Sequence, residues 1–213
     1  MNNIKEIIAK QLLEIKAVFL NPKDPFTWAS GIKSPIYCDN RITYSYPETR
    51  NVIENAFVEM IKEKYSDVDC IVGTATAGIG HAAIIAHILN KPMAYVRASS
   101  KKHGRQNQIE GKIAENAKVL VVEDLISTGK SSLECVEILK ENKIETVAVI
   151  AIFTYQMNKA KENFAQANIK VETLTDLDTL LEVASINNYI ETSDINRIKK
   201  FRDNPSDESW IML

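Results

Sequence analysis

A predicted buried strand that runs into a helix constrains this chain more than any other feature. Residues 118–122 read K-V-L-V-V, and then come Glu123, Asp124 and a small-residue turn at 127–129. Four apolar residues in a row, three of them valine, predict a strand buried on both faces, as in a parallel sheet. The helix after the turn would present free N–H groups and its positive dipole end, which favour an anion. The pattern predicts a phosphate-binding turn edged by two acids.

Gly129-Lys130-Ser131 also matches the end of the Walker A pattern G-x-x-x-x-G-K-[ST]. The position of its first glycine is Asp124, whose negative charge would repel a triphosphate. Two acids before a Thr-Gly turn suit a ribose 5-phosphate better, because carboxylates accept hydrogen bonds from ribose hydroxyls or from a metal-bound water. An ordinary helix capped by a surface Glu-Asp pair is the alternative.

The stretch E-D-L-I-S-T-G-K-S at residues 123–131 resembles the phosphoribosyl-diphosphate motif of the type I phosphoribosyltransferases. The resemblance implies an α/β fold with a parallel central sheet flanked by helices and a small N-terminal hood. It implies Mg²⁺ as cofactor, held mainly by the diphosphate and waters. It also implies that Asp124 is catalytic and that 5-phosphoribosyl 1-diphosphate contacts Glu123, Asp124, Leu125, Ile126, Ser127, Thr128, Gly129, Lys130 and Ser131.

A second segment, residues 26–41, begins F-T-W-A-S-G-I-K-S-P-I-Y and combines aromatics with Ser-Gly, Ser-Pro and charged residues. This composition predicts a structured loop and a short strand that carry functional side chains. The pattern F-T-x-x-S-G-x-x-S-P-x-Y resembles the base-binding segment of the orotate phosphoribosyltransferases, which implies that Lys33, Tyr37 and Ser127 contact orotate. The alternative is a β-hairpin at a sheet edge that carries these side chains without a binding role.

A polar stretch without periodicity, residues 98–111, follows a short predicted strand at 92–97. Its basic side chains between glycines predict a lid that closes over a polyanion, with a solvated charged loop as the alternative. R-x-x-x-K-x-H-G followed by I-E-G resembles the catalytic loop of the orotate family. The resemblance implies a homodimer in which loop 98–111 reaches the neighbouring site. It implies that Lys101 and His103 are catalytic and that the diphosphate contacts Arg97, Lys101, Lys102 and His103.

The chain departs from the family pattern at several positions. Ala29, Ala77 and Ala98 stand where lysines are common in the family. Some members place a base-binding arginine after the strand that ends near Phe153, where this chain has Thr154-Tyr155-Gln156. Orotate binding is therefore expected to depend on the N-terminal segment and on the turn after the central strand.

The remaining periodicity predicts strands that alternate with helices. Helices are expected before Asn21, from Pro47, and at 159–167, 177–184 and 195–201, the last two capped by Thr175-Asp176 and Ser193-Asp194. A strand, a small-residue loop around Gly73 and Gly78, and a helix from about Ala82 predict a second anion-binding site.

Alternating strands and helices predict one doubly wound domain, residues 1–213, with ligands at the carboxyl ends of its strands. Its core is expected at 46–175 and its hood mainly at 1–45, with the C-terminal helices 176–213 as an alternative part of the hood.

Composition and charge limit the classes of partner that this chain is expected to bind. The formal net charge is −2, with no basic block, which argues against nucleic acid or a membrane surface as a partner. Charged residues interrupt the apolar positions of the N-terminus, and no segment has the length of a membrane span. Three scattered cysteines, Cys38, Cys70 and Cys135, predict reduced thiols and a cytoplasmic location.

The resemblance implies an orotate phosphoribosyltransferase of UMP biosynthesis, which transfers the phosphoribosyl group to orotate and releases orotidine 5'-phosphate and diphosphate. Two alternatives remain open at this stage. One is a phosphoribosyltransferase for a purine or another pyrimidine. The other is a regulator that keeps the fold and binds nucleic acid, which a basic face or an added DNA-binding domain would mark.

Overall fold

A computed structural model of the protein describes residues 2–28, 30–97 and 108–212. The elements follow in chain order: α1 (Asn2–Glu14), β1 (Val18–Leu20), β2 (Phe26–Thr27), β3 (Lys33–Ser34), β4 (Ile36–Cys38), a 3₁₀ helix (Asn40–Ser45), α2 (Pro47–Lys64), β5 (Cys70–Thr74), α3 (Ala77–Leu89), β6 (Met93–Val96), β7 (Ile109–Glu110), β8 (Lys118–Ile126), α4 (Lys130–Glu141), β9 (Glu145–Thr154), α5 (Asn158–Ala167), β10 (Lys170–Asp176), α6 (Leu177–Ile186), α7 (Thr192–Asp203) and a second 3₁₀ helix (Glu208–Met212).

The central sheet has six strands in the order β10-β9-β8-β5-β6-β7. Every neighbouring pair is parallel except β6 and β7. The chain passes from β5 outward to β6 on one side, and from β8 outward through β9 to β10 on the other. The strand order therefore reverses between β5 and β8, which is where open α/β sheets bind ligands. The predicted doubly wound, mostly parallel sheet is confirmed.

Strand β8 alternates its side chains between two separate cores. Val119 and Val121 pack with residues of α4 and α5 on one face of the sheet. Leu120 and Val122 pack on the other face, in the larger core with α1, α2, α3 and α6. The strand continues to Ile126, beyond the apolar run that predicted it, so Glu123 and Asp124 belong to the strand and extend the same alternation.

The N-terminal segment packs against the C-terminal helices. β1 pairs with β4, and β2 with β3, as two small antiparallel ribbons outside the main sheet. The Trp28 ring lies 5.6 Å from that of Phe201 on α7, and the Phe201 ring lies 5.6 Å from that of Trp210. Lys23 Nζ lies 2.6 Å from a carboxylate oxygen of Glu191. These contacts join the two ends of the chain over one end of the sheet.

Three element boundaries differ from expectation. The first helix ends at Glu14 and β1 follows it, since Lys16 takes a left-handed conformation with φ 57°. α3 begins at Ala77, before the expected start near Ala82. The predicted cap at Ser193-Asp194 is wrong: Glu191 caps α7, and Asp194 sits inside the first turn, where its carboxylate accepts the Glu191 N–H in a capping box.

The predicted cap of α6 is confirmed, because the Asp176 carboxylate accepts the Thr179 N–H at 3.0 Å. Across the described part of the chain, the helices fall short of the length and apolar character that a membrane span requires.

Candidate active site

A cavity of about 450 Å³ opens at the carboxyl end of β8. The end of the strand, the turn and the first two turns of α4 line it with Glu123, Asp124, Leu125, Ser127, Thr128, Gly129, Lys130, Ser131 and Glu134. The fold thus gathers the residues of the predicted phosphoribosyl motif at one place, beside the point where the strand order reverses. Ile126 is the exception, because its side chain is buried in the core under α4.

Gly129 shapes the turn that closes this cavity. It is the N-cap of α4 and has φ +77°, a conformation that side chains with a Cβ rarely adopt. A Cβ at this position would lie 2.5 Å from the Phe164 ring of α5. The Asn163 side chain donates to the Thr128 carbonyl oxygen at 2.9 Å and fixes the turn from the same helix. Glycine at 129 therefore lets the N-terminus of α4 approach α5 while its N–H groups stay at the cavity.

Glu123 is a buried acid with three hydrogen bonds. Its Oε2 accepts the hydroxyls of Ser131 at 3.0 Å and Ser132 at 3.2 Å, and its Oε1 accepts the Asp124 N–H at 3.1 Å. Burial, and next the negative charge of Asp124, raise the pKa of Glu123 to about 8. A carboxyl group in this state is largely protonated at neutral pH, and it ties β8 to the first turn of α4.

The backbone of Asp124 connects the end of β8 to the hood. Its carbonyl oxygen accepts a hydrogen bond from the fully buried Asn40 side chain at 2.7 Å. Cys38 lies nearby; its burial, and next the charge of Asp124, raise the pKa of the Cys38 thiol well above its usual range. Asn40 was not predicted as a site residue, although its place in the polar triplet Asp39-Asn40-Arg41 directly after a strand is a signal for one.

The second predicted anion site, around Gly78, is built by close packing. A Cβ on Gly78 would lie 2.2 Å from a backbone oxygen of β8, so α3 can rest on that strand only with glycine there. The Tyr44 hydroxyl donates to the Ala77 carbonyl oxygen, and the Tyr44 ring stacks on His81 with centroids 4.5 Å apart. His81 Nδ1 lies 2.6 Å from Glu54, and both side chains are buried. Sequence reasoning missed these three supporting residues, because a buried polar pair leaves no periodic signal.

The predicted orotate contacts divide between two places. Ser127 lines the cavity. Lys33 and Tyr37 lie on the hood and are exposed; Lys33 Nζ donates to the Thr27 hydroxyl at 2.7 Å, and the Tyr37 ring lies 6.0 Å from that of Phe26. Neither residue lines the cavity at the end of β8.

The predicted lid lies mostly outside the described residues, and so do Lys101, Lys102, His103, Ala29 and Ala98. Its two ends are described. β6 pairs antiparallel with β7, so the predicted loop 98–111 includes two residues of strand, a length too short to show in the sequence pattern. Arg97 Nε lies 3.1 Å from Glu110 at this edge of the sheet.

The family model of the phosphoribosyl transferase domain matches residues 47–177. The orotate phosphoribosyltransferase of Listeria innocua is 52% identical over 208 residues, which cover 98% of this chain and 99% of that protein. The corresponding protein of Streptococcus agalactiae is 55% identical over 196 residues, with 92% and 94% covered. This chain belongs to the orotate phosphoribosyltransferase family. Among solved structures, the orotate phosphoribosyltransferase of Aeropyrum pernix is similar at a TM-score of 0.74 and 28% identity, covering 82% of this chain and 96% of that one.

The donor set at the cavity would suit a magnesium ion that takes only part of its coordination from the protein. In the ranges 2–28, 30–97 and 108–212, no group of three or more His, Cys, Asp or Glu side chains is placed to hold a metal ion. The cavity offers the carboxyl groups of Glu123 and Asp124, and two serines already engage Glu123. Mg²⁺ keeps several waters and binds through one or two carboxylates plus substrate phosphates, which matches such a sparse set.

Proposed function

We propose that this chain transfers the 5-phosphoribosyl group of 5-phosphoribosyl 1-diphosphate to N1 of orotate. The products are orotidine 5'-phosphate and diphosphate, and the reaction serves pyrimidine nucleotide synthesis. The observation that carries the proposal is the cavity at the end of β8, which gathers the motif Glu123–Ser131 in a chain of this family. The motif binds the shared donor substrate, and the hood segment 26–41 selects the base.

In this reaction N1 of orotate displaces diphosphate from C1 of the ribose. The ribosyl ring gains positive charge in the transition state, and the departing diphosphate gains negative charge. The Asp124 carboxylate lies at the cavity and stabilises the ribosyl cation, while Glu123 and Asp124 hold the ribose hydroxyls. The protein forms no covalent bond in this mechanism.

The turn at residues 127–131 holds the 5-phosphate. The Ser131 hydroxyl donates to Glu123, so the contribution of Ser131 to the phosphate is its backbone N–H at the start of α4. Binding energy from this remote phosphate aligns C1 with the base, which raises the rate as well as the affinity.

We infer that Mg²⁺ and the lid bind the diphosphate. When bound with the substrate, Mg²⁺ offsets the negative charge of the leaving diphosphate. The Asp124 side chain would supply the protein carboxylate that holds Mg²⁺. Arg97, Lys101, Lys102 and His103 donate to the diphosphate, with Lys101 and His103 in catalytic roles. Loop 98–111 reaches over from the neighbouring subunit of a homodimer and excludes water during the reaction.

We further propose a cytoplasmic location, with small-molecule partners and neither nucleic acid nor membrane as a ligand. Three cysteines without disulfide bonds support a reducing compartment. Purification in buffer without reductant followed by thiol titration checks this point, because a protein from an oxidising compartment would show fewer than three free thiols.

The direct test is the loss of orotate absorbance when the protein is mixed with orotate, 5-phosphoribosyl 1-diphosphate and Mg²⁺. Parallel reactions contain EDTA, or uracil or adenine in place of orotate. We expect consumption of orotate only, and only with Mg²⁺. Consumption of another base in place of orotate would contradict the proposal, as would binding of the phosphoribosyl substrate without any turnover.

A further inference from the structure

Orotate carries a carboxylate, so its binding brings a second negative charge close to Asp124. A carboxylate that leaves water needs a partner of opposite charge or several hydrogen-bond donors. Asp39 also lies on the hood segment that borders Asp124, which increases the repulsion that the incoming anion meets. If the proposed function holds, a cation or a set of hydrogen-bond donors must therefore lie beside the base site, and a cation would also offset the nearby negative charges.

The segment at the end of β4 is fixed directly against the acid motif. Asn40 is fully buried, and its side chain donates to the Asp124 carbonyl oxygen at 2.7 Å. The Thr43 hydroxyl donates to the Asn40 carbonyl oxygen at 2.6 Å and closes the first turn of the 3₁₀ helix. Arg41 follows Asn40 in the chain, so its backbone position beside Asp124 is set by a buried residue.

Asp39 holds the Arg41 guanidinium in a fixed orientation. Nε donates to Oδ1 at 2.6 Å and Nη2 donates to Oδ2 at 2.8 Å, a two-point pair on a planar fork. The Asp39 carboxylate also accepts the Arg41 N–H at 3.2 Å as the N-cap of the 3₁₀ helix. Three of the five guanidinium N–H bonds remain for another acceptor, and the Arg41 side chain is 63% exposed.

We propose that Arg41 binds the carboxylate of orotate and that Asp39 orients it. The pair supplies the planar, preorganised donor set that a carboxylate prefers. Arginine is a permanent cation in proteins, and the hydrogen bonds and negative charge of Asp39 raise the pKa of the Arg41 guanidinium further.

Other candidate positions are already engaged. Thr154, Tyr155 and Gln156, where some family members have an arginine, carry no cation; the Thr154 hydroxyl accepts the Gln156 N–H, and the Gln156 side chain accepts the Asp178 N–H. Lys33 is another cation on the hood, but its ammonium donates to Thr27 and lacks the planar two-point geometry of a guanidinium.

The test compares Arg41→Gln and Arg41→Lys with wild type in both reaction directions. Arg41→Gln should raise the KM for orotate by about 10- to 100-fold, the expected effect of losing hydrogen bonds between charged groups, and should likewise raise the KM for orotidine 5'-phosphate in the reverse reaction. The KM values for 5-phosphoribosyl 1-diphosphate and for diphosphate should stay within about 2-fold. Arg41→Lys should fall between, because an ammonium cannot form the two-point pair.

Lys23→Gln is the matched control: it removes another exposed hood cation, one that pairs with Glu191, and should leave all four KM values unchanged. Asp39→Asn should raise the orotate KM less than Arg41→Gln does. A purely structural pair would instead lower Tm in both Asp39→Asn and Arg41→Gln with the orotate KM unchanged, which overturns the assignment.

Two other outcomes overturn it as well. One is an equal rise in the KM for both substrates, and the other is an orotate KM that rises in Lys33→Gln but not in Arg41→Gln. A wild-type protein that consumes no orotate overturns the proposed function and this assignment together. An active wild type with an unchanged Arg41→Gln variant overturns the assignment alone.

Discussion

Glu123 and Asp124 are neighbours at the end of β8, and both line the same cavity, where their carboxyl groups interact. Glu123 follows Val119 and Val121 toward α4, where the serine hydroxyls of that helix surround it. The backbone of Asp124 is fixed to the hood, because its carbonyl oxygen accepts the Asn40 side chain. The two adjacent acids thus connect the end of β8 to two different elements, α4 through Glu123 and the 3₁₀ helix through Asp124.

The buried Glu123 should make the stability of the protein depend on pH. Its folded pKa, about 8, lies above its ordinary value of 4.5, so between these values the folded state holds a proton that the unfolded chain has released. Stability therefore falls as pH rises through this window, by at most about 1.4 kcal/mol per pH unit from this group. Glu123→Gln cannot titrate, so its free energy of unfolding relative to wild type should increase from pH 5 to pH 8.

Urea unfolding of both proteins at pH 5, 6, 7 and 8 measures that difference. Groups that do not interact with Glu123, including the buried Glu54, contribute equally in both proteins and cancel. A difference that stays constant over this range would mean that Glu123 is ionised in the folded protein at pH 5 already.

At the scale of elements, the site depends on where a strand ends and a helix begins. Strand β8 delivers the acids, and the tight turn at Gly129 places the N-terminus of α4 against them. The 3₁₀ helix after β4 attaches the hood to the same point through Asn40. Two consecutive elements and a third from a distant part of the sequence therefore share a few hydrogen bonds at the end of β8.

Gly129→Ala should lower the stability of the protein more than the same substitution at another glycine with positive φ. The new methyl group would meet the Phe164 ring at 2.5 Å, in addition to the strain of φ +77°. Gly31→Ala is the matched control, since Gly31 has φ +85° and nothing within 4 Å of a Cβ. Strain alone costs about 1 kcal/mol, and we expect Gly129→Ala to cost about 2 to 4 kcal/mol and to weaken binding of 5-phosphoribosyl 1-diphosphate.

Thermal unfolding and calorimetric titration of the phosphoribosyl substrate separate the two effects. Equal losses of stability in Gly129→Ala and Gly31→Ala would show that the contact with Phe164 relaxes without cost. Unchanged substrate affinity in Gly129→Ala would show that the turn does not hold the phosphate.

Asn40→Ala should loosen the hood from the sheet. The substitution leaves the Asp124 carbonyl without its donor and removes the acceptor of the Cys38 thiol, 3.3 Å away. Loss of a buried hydrogen bond costs about 1 to 3 kcal/mol, and the orotate KM should rise more than the KM for the phosphoribosyl substrate. Asn142→Ala on α4, whose side chain donates to Ile138 at an exposed site, provides the control and should change neither KM. Parallel changes in both KM values of Asn40→Ala would argue that the hood and the motif move as one unit.

The core elements were predictable from sequence because they are long and periodic. The apolar runs of β8 and β9 and the spacing in α2 predicted both type and approximate position. The strands of the hood could not be predicted, because they have two or three residues, too few to show a period of two. Within the site, the motif residues could be identified from their order, whereas the bonds of Glu123 to two serines depend on a helix packing against a strand.

At the scale of the whole molecule, both ends of the chain meet over the carboxyl end of the sheet. Trp28 of the hood contacts Phe201 of α7, which in turn contacts the fully buried Trp210. Trp28 also lies 5.6 Å, between ring centroids, from Tyr155, which follows β9 directly. This aromatic cluster joins the hood segment 26–41 to the sheet, so the C-terminal helices pack against that segment without touching the cavity at the end of β8.

Trp210→Ala tests this long-range support. Removing a fully buried indole should cost about 3 to 5 kcal/mol of stability and leave a cavity beneath Phe201. Because the Phe201 ring would be loosened and lies next to Trp28, the orotate KM should rise several-fold while the KM for 5-phosphoribosyl 1-diphosphate changes less.

Trp210→Phe is the matched control. Among the described residues the indole N–H of Trp210 has no hydrogen-bond partner, so phenylalanine loses volume but no hydrogen bond. Its loss of stability should be clearly smaller than that of Trp210→Ala. Urea unfolding and the two KM values, measured at a temperature where every variant is folded, decide the matter. If Trp210→Ala lost stability but kept the wild-type orotate KM, the aromatic cluster would stabilise the fold without positioning the hood.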